Sequence, residues 1–148
     1  MIRILLFLSI FVTSQGFAQE SNLEYFSLST EEIQSQGSIV YYSDSLNNIE
    51  NKKYLAIEAW DYDIDSKEYK YFCFVKIGNE IHKLNSINRS SEDEPKTKSE
   101  YKNKSLSLTI ETKQFKKAGY DSYFVKGKLI IKSGTSGKSY DIFGLVAV

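Results

Sequence analysis

The chain of 148 residues carries 19 Lys and Arg against 19 Asp and Glu, which gives a formal net charge of zero. This balance argues against nucleic-acid binding, which needs a basic surface, and against electrostatic docking on anionic lipid. Cys73 is the only cysteine, so an intrachain disulfide is excluded, and the 14% of aromatic residues beside a single proline favours strands over helices.

The first 18 residues have the layout of an export signal. Met1–Arg3 is a short, positively charged start, residues 4–12 form an apolar run too short to span a bilayer, and Gly16–Ala18 supplies small residues for cleavage. We therefore expect a signal peptide over residues 1–18 and a single β domain over residues 19–148. The domain is expected to be exported, periplasmic or extracellular, and to keep no membrane anchor after cleavage.

One short helix is predicted near the start of the domain. Ser29 and Glu32 have the spacing of a capping box, in which each side chain bonds the backbone N–H of the other residue. Leu28 and Ile33 are placed as a hydrophobic staple, and Gly37 follows where a left-handed helix end is favoured.

Apolar and polar side chains alternate through most of the remaining chain, a period typical of strands. A second helical turn is predicted over residues 112–118, and residues 85–104, the most polar segment, are predicted to form a solvated loop. The candidate strands are residues 38–42, 54–62, 69–77, 80–85, 105–111, 122–132 and 139–147.

Six to eight short antiparallel strands with turn-rich connections predict an all-β domain, and a β-sandwich fits them best. A small lipocalin-like β-barrel is the alternative. A barrel needs near-continuous pairing of sequential strands, which the N-terminal helix and the long polar loop fit less neatly.

The last hairpin has a sequence from which a register can be argued. A four-residue loop at residues 134–137 places Leu129 and Ile131 on the buried face and sets Gly127 opposite Gly144. Two facing glycines leave a bare patch of backbone. We expect a large aromatic ring to fill that patch, with a ligand slot as the alternative.

The hairpin around residue 65 carries four aromatic residues, Trp60, Tyr62, Tyr69 and Tyr71. An even-length loop pairs Trp60 with Tyr71 and Tyr62 with Tyr69, whereas an odd-length loop sets the first two beside Phe72 and Phe74. Glu58 in the same row suggests contact with water, so the four aromatics are candidate ligand-binding residues for a sugar ring or a protein. Burial of both strand faces without any function is the simpler interpretation.

Asp61, Asp63 and Asp65 have the alternate spacing seen at the start of calcium loops. The rest of that pattern fails, because Ser66 stands where glycine is needed and Phe72 stands in place of the bidentate glutamate. A hairpin turn explains the same residues and is the favoured interpretation. Calcium at the three aspartates is the alternative, and no other cofactor is expected.

Catalysis has little support in the sequence. His82, the only histidine, lies in a short alternating strand, and no Gly-x-Ser-x-Gly motif occurs. We therefore expect an exported, non-catalytic binding or interaction module that contacts a protein partner. The alternatives are a carbohydrate-binding module that uses the aromatic hairpin, and a small-ligand carrier with an interior pocket near Gly127 and Gly144.

Overall fold

The structure, a computed structural model, describes residues 22–90 and 96–147, so the predicted signal peptide lies outside the described residues. Nine strands and two short helices are found in these ranges. In chain order they are β1 (Leu23–Glu24), α1 (Thr30–Ile33), β2 (Ile39–Ser43), α2 (Leu46–Glu50), β3 (Ala56–Asp63), β4 (Glu68–Ile77), β5 (Glu80–Arg89), β6 (Lys96–Lys102), β7 (Leu106–Lys117), β8 (Ser122–Ser133) and β9 (Ser136–Ala147).

Strands β2 to β9 form a closed antiparallel barrel in which every strand pairs with its neighbours in sequence. The barrel closes because β9 pairs with β2, with Tyr42 opposite Gly144, and because β4 pairs with both β3 and β5. The all-β prediction is confirmed, the sandwich prediction is wrong, and the barrel alternative is correct. Of the described strands, only the two-residue β1 lies outside the barrel, paired to the end of β4.

Two segments that were predicted from the sequence to be a loop and a helix are strands that complete the barrel. Residues 96–102, predicted as loop, form β6, which pairs with β5 and β7. Residues 112–117, predicted as helix, continue β7 with a register shift between Gln114 and Lys116. Both predictions were wrong because these residues are polar. Even the side chains of β6 and β7 that face the barrel interior include hydroxyl and amide groups at one end of the barrel.

The last hairpin has a two-residue turn instead of the predicted four-residue loop. Ser133 pairs with Ser136, and Gly134 has a φ of +56°, which suits the first central position of a type II′ turn. The register is therefore shifted by two residues, so Gly127 lies opposite Ile142 and Val125 opposite Gly144. A shift of two keeps every side chain on its predicted face.

The chain buries two separate apolar cores. The first fills the barrel interior, and the second lies outside the barrel, where the N-terminal segment and α2 cover β2, β3 and β4. Ile57 and Ala59 face this outer core while Ala56 and Glu58 face the interior, so both faces of β3 are buried. The outer core is formed by Phe26, Ile33, Ile49, Tyr54, Ile57, Ala59 and Phe72.

Helix α1 begins with the predicted capping box. The Glu32 backbone N–H donates to Ser29 Oγ at 3.2 Å, and the Ser29 N–H donates to Glu32 Oε2 at 2.7 Å. The helix ends after one turn at Gln34, which takes the left-handed conformation predicted for Gly37. Among the described residues no helix has both the length and the apolar character needed to cross a membrane.

Candidate functional site

The barrel interior changes character from one end to the other. Large apolar side chains pack the end that carries the β4–β5, β6–β7 and β8–β9 turns, whereas the opposite end holds a cavity of about 170 Å³. We call this cavity the polar cup. It is lined by Ser38, Val40, Tyr42, Glu58, Ala59, Trp60, Arg89, Thr97, Thr112, Gln114, Tyr123, Val125 and Val146.

A buried ion pair lies in the wall of the polar cup. Arg89 Nη1 is 2.5 Å from Glu58 Oε1, and the side chains are only 20% and 5% exposed. The Arg89 guanidinium also stacks on the ring of Tyr71, 4.3 Å from its centroid. Burial is the largest single effect and works against the charged guanidinium. Attraction to Glu58, the hydrogen bond with Glu58 and smaller contributions from Tyr101 and Tyr42 together outweigh it, so the pKa of Arg89 is raised and the group stays charged.

Hydroxyl groups surround this ion pair. Thr97 and Thr112 share a hydrogen bond between their Oγ1 atoms at 2.9 Å. Tyr42 lines the polar cup and is buried. Burial and, to a lesser degree, the charge of Glu58 raise the pKa of Tyr42 well above its usual value, so this hydroxyl is a neutral donor and acceptor.

Tyr101 lies deeper in the barrel and does not line the cup. Its side chain is fully buried, and its hydroxyl has no partner among the described residues. Burial first, and the negative charge of Glu58 second, raise the pKa of Tyr101. This hydroxyl is therefore a neutral polar group that carries a desolvation cost.

The four predicted aromatic residues lie together on one face of the β3–β4 hairpin. Trp60 is opposite Tyr71 and Tyr62 is opposite Tyr69, which confirms the even-length loop. The ring centroids of Trp60 and Tyr69 are 5.0 Å apart, and those of Tyr62 and Tyr69 are 5.2 Å apart. We call these four residues the aromatic ladder.

The aromatic ladder runs outward from the polar cup. Strand β4 pairs with β5 only from Phe72 onward, so residues 60–71 extend past the neighbouring strand. Trp60 lines the cup, and Tyr69 near the hairpin tip is 58% exposed. The ladder is therefore a partly open wall that continues the cup toward solvent.

Gly37 is required for the position of Trp60. A Cβ atom on Gly37 would lie 1.7 Å from Cζ2 of the indole, so only glycine allows the ring to rest on this backbone. The backbone oxygen of Trp60 accepts hydrogen bonds from Gln36 N at 3.2 Å and Ser35 Oγ at 2.8 Å. The N-terminal segment thus fixes the first ring of the ladder from behind.

The protein itself covers Gly127 and Gly144. A Cβ on Gly144 would lie 2.7 Å from the Tyr42 ring, and a Cβ on Gly127 would lie 1.8 Å from the backbone oxygen of Glu111. An aromatic ring fills the space at Gly144, as expected, although it comes from the adjacent strand and not from a second sheet. The interior space is the polar cup, nearer the barrel end.

The three aspartates predicted as alternative calcium ligands lie at the hairpin tip. Asp63 Oδ1 accepts from the backbone N–H groups of Asp65 at 2.9 Å and Ser66 at 3.3 Å, and Asp63 Oδ2 pairs with Lys70. Within residues 22–90 and 96–147 no group of three or more His, Cys, Asp or Glu is arranged to hold a metal ion. The geometry is that of a turn stabilised by Asp63, and calcium stays a prediction from spacing.

The pKa of Asp63 is a test of this turn. Its hydrogen bond with Lys70 and those from the Ser66 and Asp65 backbone lower the pKa from 3.8 to about 2. The stability that this carboxylate contributes is thus present above pH 3.8 and is lost as pH falls through 2. We expect a carboxyl NMR titration to give a pKa near 2 and Lys70→Met to shift it upward. A pKa near 3.8 in the unaltered protein would contradict the turn geometry.

A larger and more open depression of about 460 Å³ lies across the outer faces of β6, β7 and β8. Five lysines and Glu111 contribute to its lining. Exposed lysines are solvated and mobile, so the depression by itself does not point to a ligand. The lysines are Lys96, Lys98, Lys113, Lys126 and Lys128.

The sequence analysis missed the ion pair and the hydroxyl groups of the polar cup. Two signals could have revealed the pair. Glu58 interrupts a run that is apolar on both strand faces, and Arg89 is the only arginine after Arg3 in a chain whose other basic residues are lysine. Arginine is the preferred partner for a buried carboxylate because its planar donors match the carboxylate geometry.

No family model, curated protein or solved structure matches the chain. Function is therefore inferred from the side chains of the polar cup and the aromatic ladder.

Proposed function

We propose that the protein is an exported, non-catalytic binding module that holds a small ligand in the polar cup. The observation that carries this proposal is the division of the barrel interior into a packed end and an end with a 170 Å³ cavity lined by polar groups. A cavity of about 150 Å³ holds a benzene molecule, so the cup has room for one six-membered ring. Convergent polar groups in a concave site are the usual form of a small-ligand site.

A binding role fits these side chains better than a catalytic one. Glu58 is held in an ion pair with Arg89, so its carboxylate is already engaged by the guanidinium. Cys73 is fully buried in the barrel core, and burial raises the pKa of its thiol well above the usual value. A thiol in that state is a poor nucleophile.

A protein partner at the hairpin tip is the second candidate. Ile64 is 76% exposed and Tyr69 is 58% exposed, and both lie near the turn that extends beyond the barrel. Exposed aliphatic and aromatic side chains at one protruding tip are typical of contact residues. Ile64→Ser is expected to weaken capture of such a partner while leaving the polar cup intact.

Filling the polar cup tests the proposed function. We expect Val146→Phe to abolish ligand binding, because Val146 lines the cup and the added ring takes up much of its volume. The measurement is the melting temperature with panels of neutral, anionic, cationic and apolar small molecules. A ligand at 100 times its Kd stabilises the folded state by about 2.7 kcal/mol, which raises the melting temperature by roughly 8 °C.

Leu145→Phe is the matched control, since it makes a similar change one residue earlier on β9, where the side chain belongs to the outer core. We expect at least one class of small molecule to raise the melting temperature of the unaltered protein and of Leu145→Phe, but not of Val146→Phe. If no class does so, or if Val146→Phe keeps the full shift, the cup is not the binding site.

A further inference from the structure

We infer that the ligand of the polar cup is a neutral, polyhydroxylated ring such as one sugar residue, whose attached groups extend along the aromatic ladder. This inference rests on the proposed function and adds the chemical class of the ligand. Three properties of the cup support it: its charge balance, its arrangement of hydroxyl groups and its aromatic wall.

The charge balance of the polar cup favours an uncharged ligand. Among the described residues that line the cup, Glu58 and Arg89 are the charged ones, and Arg89 Nη1 lies 2.5 Å from Glu58 Oε1 in an ion pair. An anionic ligand would have to compete with Glu58 for the guanidinium, and a cationic ligand would meet Arg89 close to the carboxylate. A buried charge without a dedicated partner is costly, so neither type of ion suits this site.

The hydroxyl groups favour a ligand with many donors and acceptors. Tyr42 lines the cup with a hydroxyl that can donate and accept, and the Thr97–Thr112 pair has further acceptor capacity. Ser38 and Gln114 complete the polar rim of the lining. An apolar ligand would remove these groups from water without replacing their hydrogen bonds, whereas ring hydroxyls would replace them.

The aromatic wall offers an apolar surface against which the C–H face of a sugar ring can pack. Trp60 lines the cup, and the ladder continues from it through Tyr69 and Tyr62, with centroid separations of 5.0 and 5.2 Å. Aromatic side chains combine a large apolar face with polar edges, which suits rings that are apolar on their faces and polar at their rims. The ladder extends beyond the cup, so a second sugar residue has a surface on which to lie.

Trp60 is the only tryptophan of the chain, so its fluorescence reports directly on the cup. The experiment titrates the full mature chain with four six-membered-ring probes. These are methyl glucoside as the neutral sugar, glucuronate as the anion, glucosamine as the cation and cyclohexanol as the less polar ring. Methyl galactoside, methyl mannoside and N-acetylglucosamine extend the neutral set.

We expect at least one neutral sugar to change the Trp60 fluorescence with saturation, and Val146→Phe to abolish that change. Tyr42→Phe should weaken the affinity about five- to tenfold, because it removes one hydrogen bond while keeping the ring against Gly144. Tyr101→Phe is the matched control, since it removes a buried hydroxyl that does not line the cup, and its affinity should be unchanged.

The outcomes separate the ligand class from the proposed function. If only glucuronate, glucosamine or cyclohexanol binds, and Val146→Phe blocks it, the neutral-sugar inference is overturned and the binding role of the cup stands. If no probe binds while another class passes the melting-temperature test, the inference fails in the same way. If neutral sugars bind equally well to Val146→Phe, the sugar site lies elsewhere and both proposals fail for the cup.

Discussion

Glu58→Met is expected to lower the free energy of unfolding by about 3–5 kcal/mol, because it removes the carboxylate that pairs with the buried Arg89 guanidinium. Methionine has nearly the length of glutamate, so the change removes the charge with little change in packing. Of the effects that raise the pKa of Arg89, the attraction to Glu58 is the largest. A guanidinium without that carboxylate still remains protonated. Urea denaturation followed by circular dichroism measures the loss.

Arg89→Met and the double variant Glu58→Met/Arg89→Met complete a thermodynamic cycle. Each single variant leaves one buried charge, whereas the double variant leaves none, so we expect it to recover most of the stability. Replacement of a buried ion pair by apolar side chains is often neutral or even stabilising. Losses that simply add in the double variant would show that the two side chains are not coupled.

The double variant also separates stability from binding. If the ion pair mainly gives the polar cup its neutral, hydrogen-bonding surface, the double variant folds with near-native stability but loses the sugar response of Trp60. A polar site that costs stability and supports binding is a common compromise in proteins. A double variant that is stable and still binds sugar would leave the ion pair without a role in recognition.

The polar residues that form the cup also made part of the fold hard to predict from the sequence. On β6 the inward residues Thr97 and Ser99 are polar because they lie at the cup end, and the outward residues Lys96 and Lys98 are charged. No alternation of apolar and polar residues remains, so this strand looks like a solvated loop. Without β6 the meander from β5 to β7 is broken, and a closed barrel could not be distinguished from a sandwich.

The buried face of a strand could be predicted where all side chains on that face are of one chemical kind. It could not be predicted where apolar and polar side chains share a face. On β5 Leu84 faces the core together with His82, whereas Ile81 and Ile87 face outward and are 44% and 63% exposed. Local alternation there does not show which face of the strand is buried. The aromatic ladder, by contrast, was predictable in part, because the two aromatic residues of each strand are two positions apart and so share a face. The sequence left an even-length and an odd-length loop open, and the structure has the even-length one.

Substitution of a covered glycine is expected to give the second large loss of stability. We expect Gly127→Ala to lower the free energy of unfolding by at least about 3 kcal/mol, because its Cβ would lie 1.8 Å from the backbone oxygen of Glu111. A backbone atom cannot rotate away as a side chain can. Relief requires β7 to move from β8, and Thr112, which lines the polar cup, lies directly opposite Gly127.

Two other glycines provide a graded comparison on the same barrel. Gly144→Ala places its Cβ 2.7 Å from the Tyr42 ring, so we expect an intermediate loss of about 1–3 kcal/mol as the ring shifts. Gly137→Ala places its Cβ closest to Lys132 Cγ, at 3.2 Å on a flexible side chain, and at an ordinary 3.6 Å from the Ile131 backbone oxygen. It should change stability by less than about 0.5 kcal/mol. Chemical denaturation of the three variants checks the order, because close contact with backbone must cost more than contact with a ring or a mobile side chain. Equal losses at Gly127 and Gly137 would mean that β7 does not pass over Gly127 as closely as the barrel geometry requires.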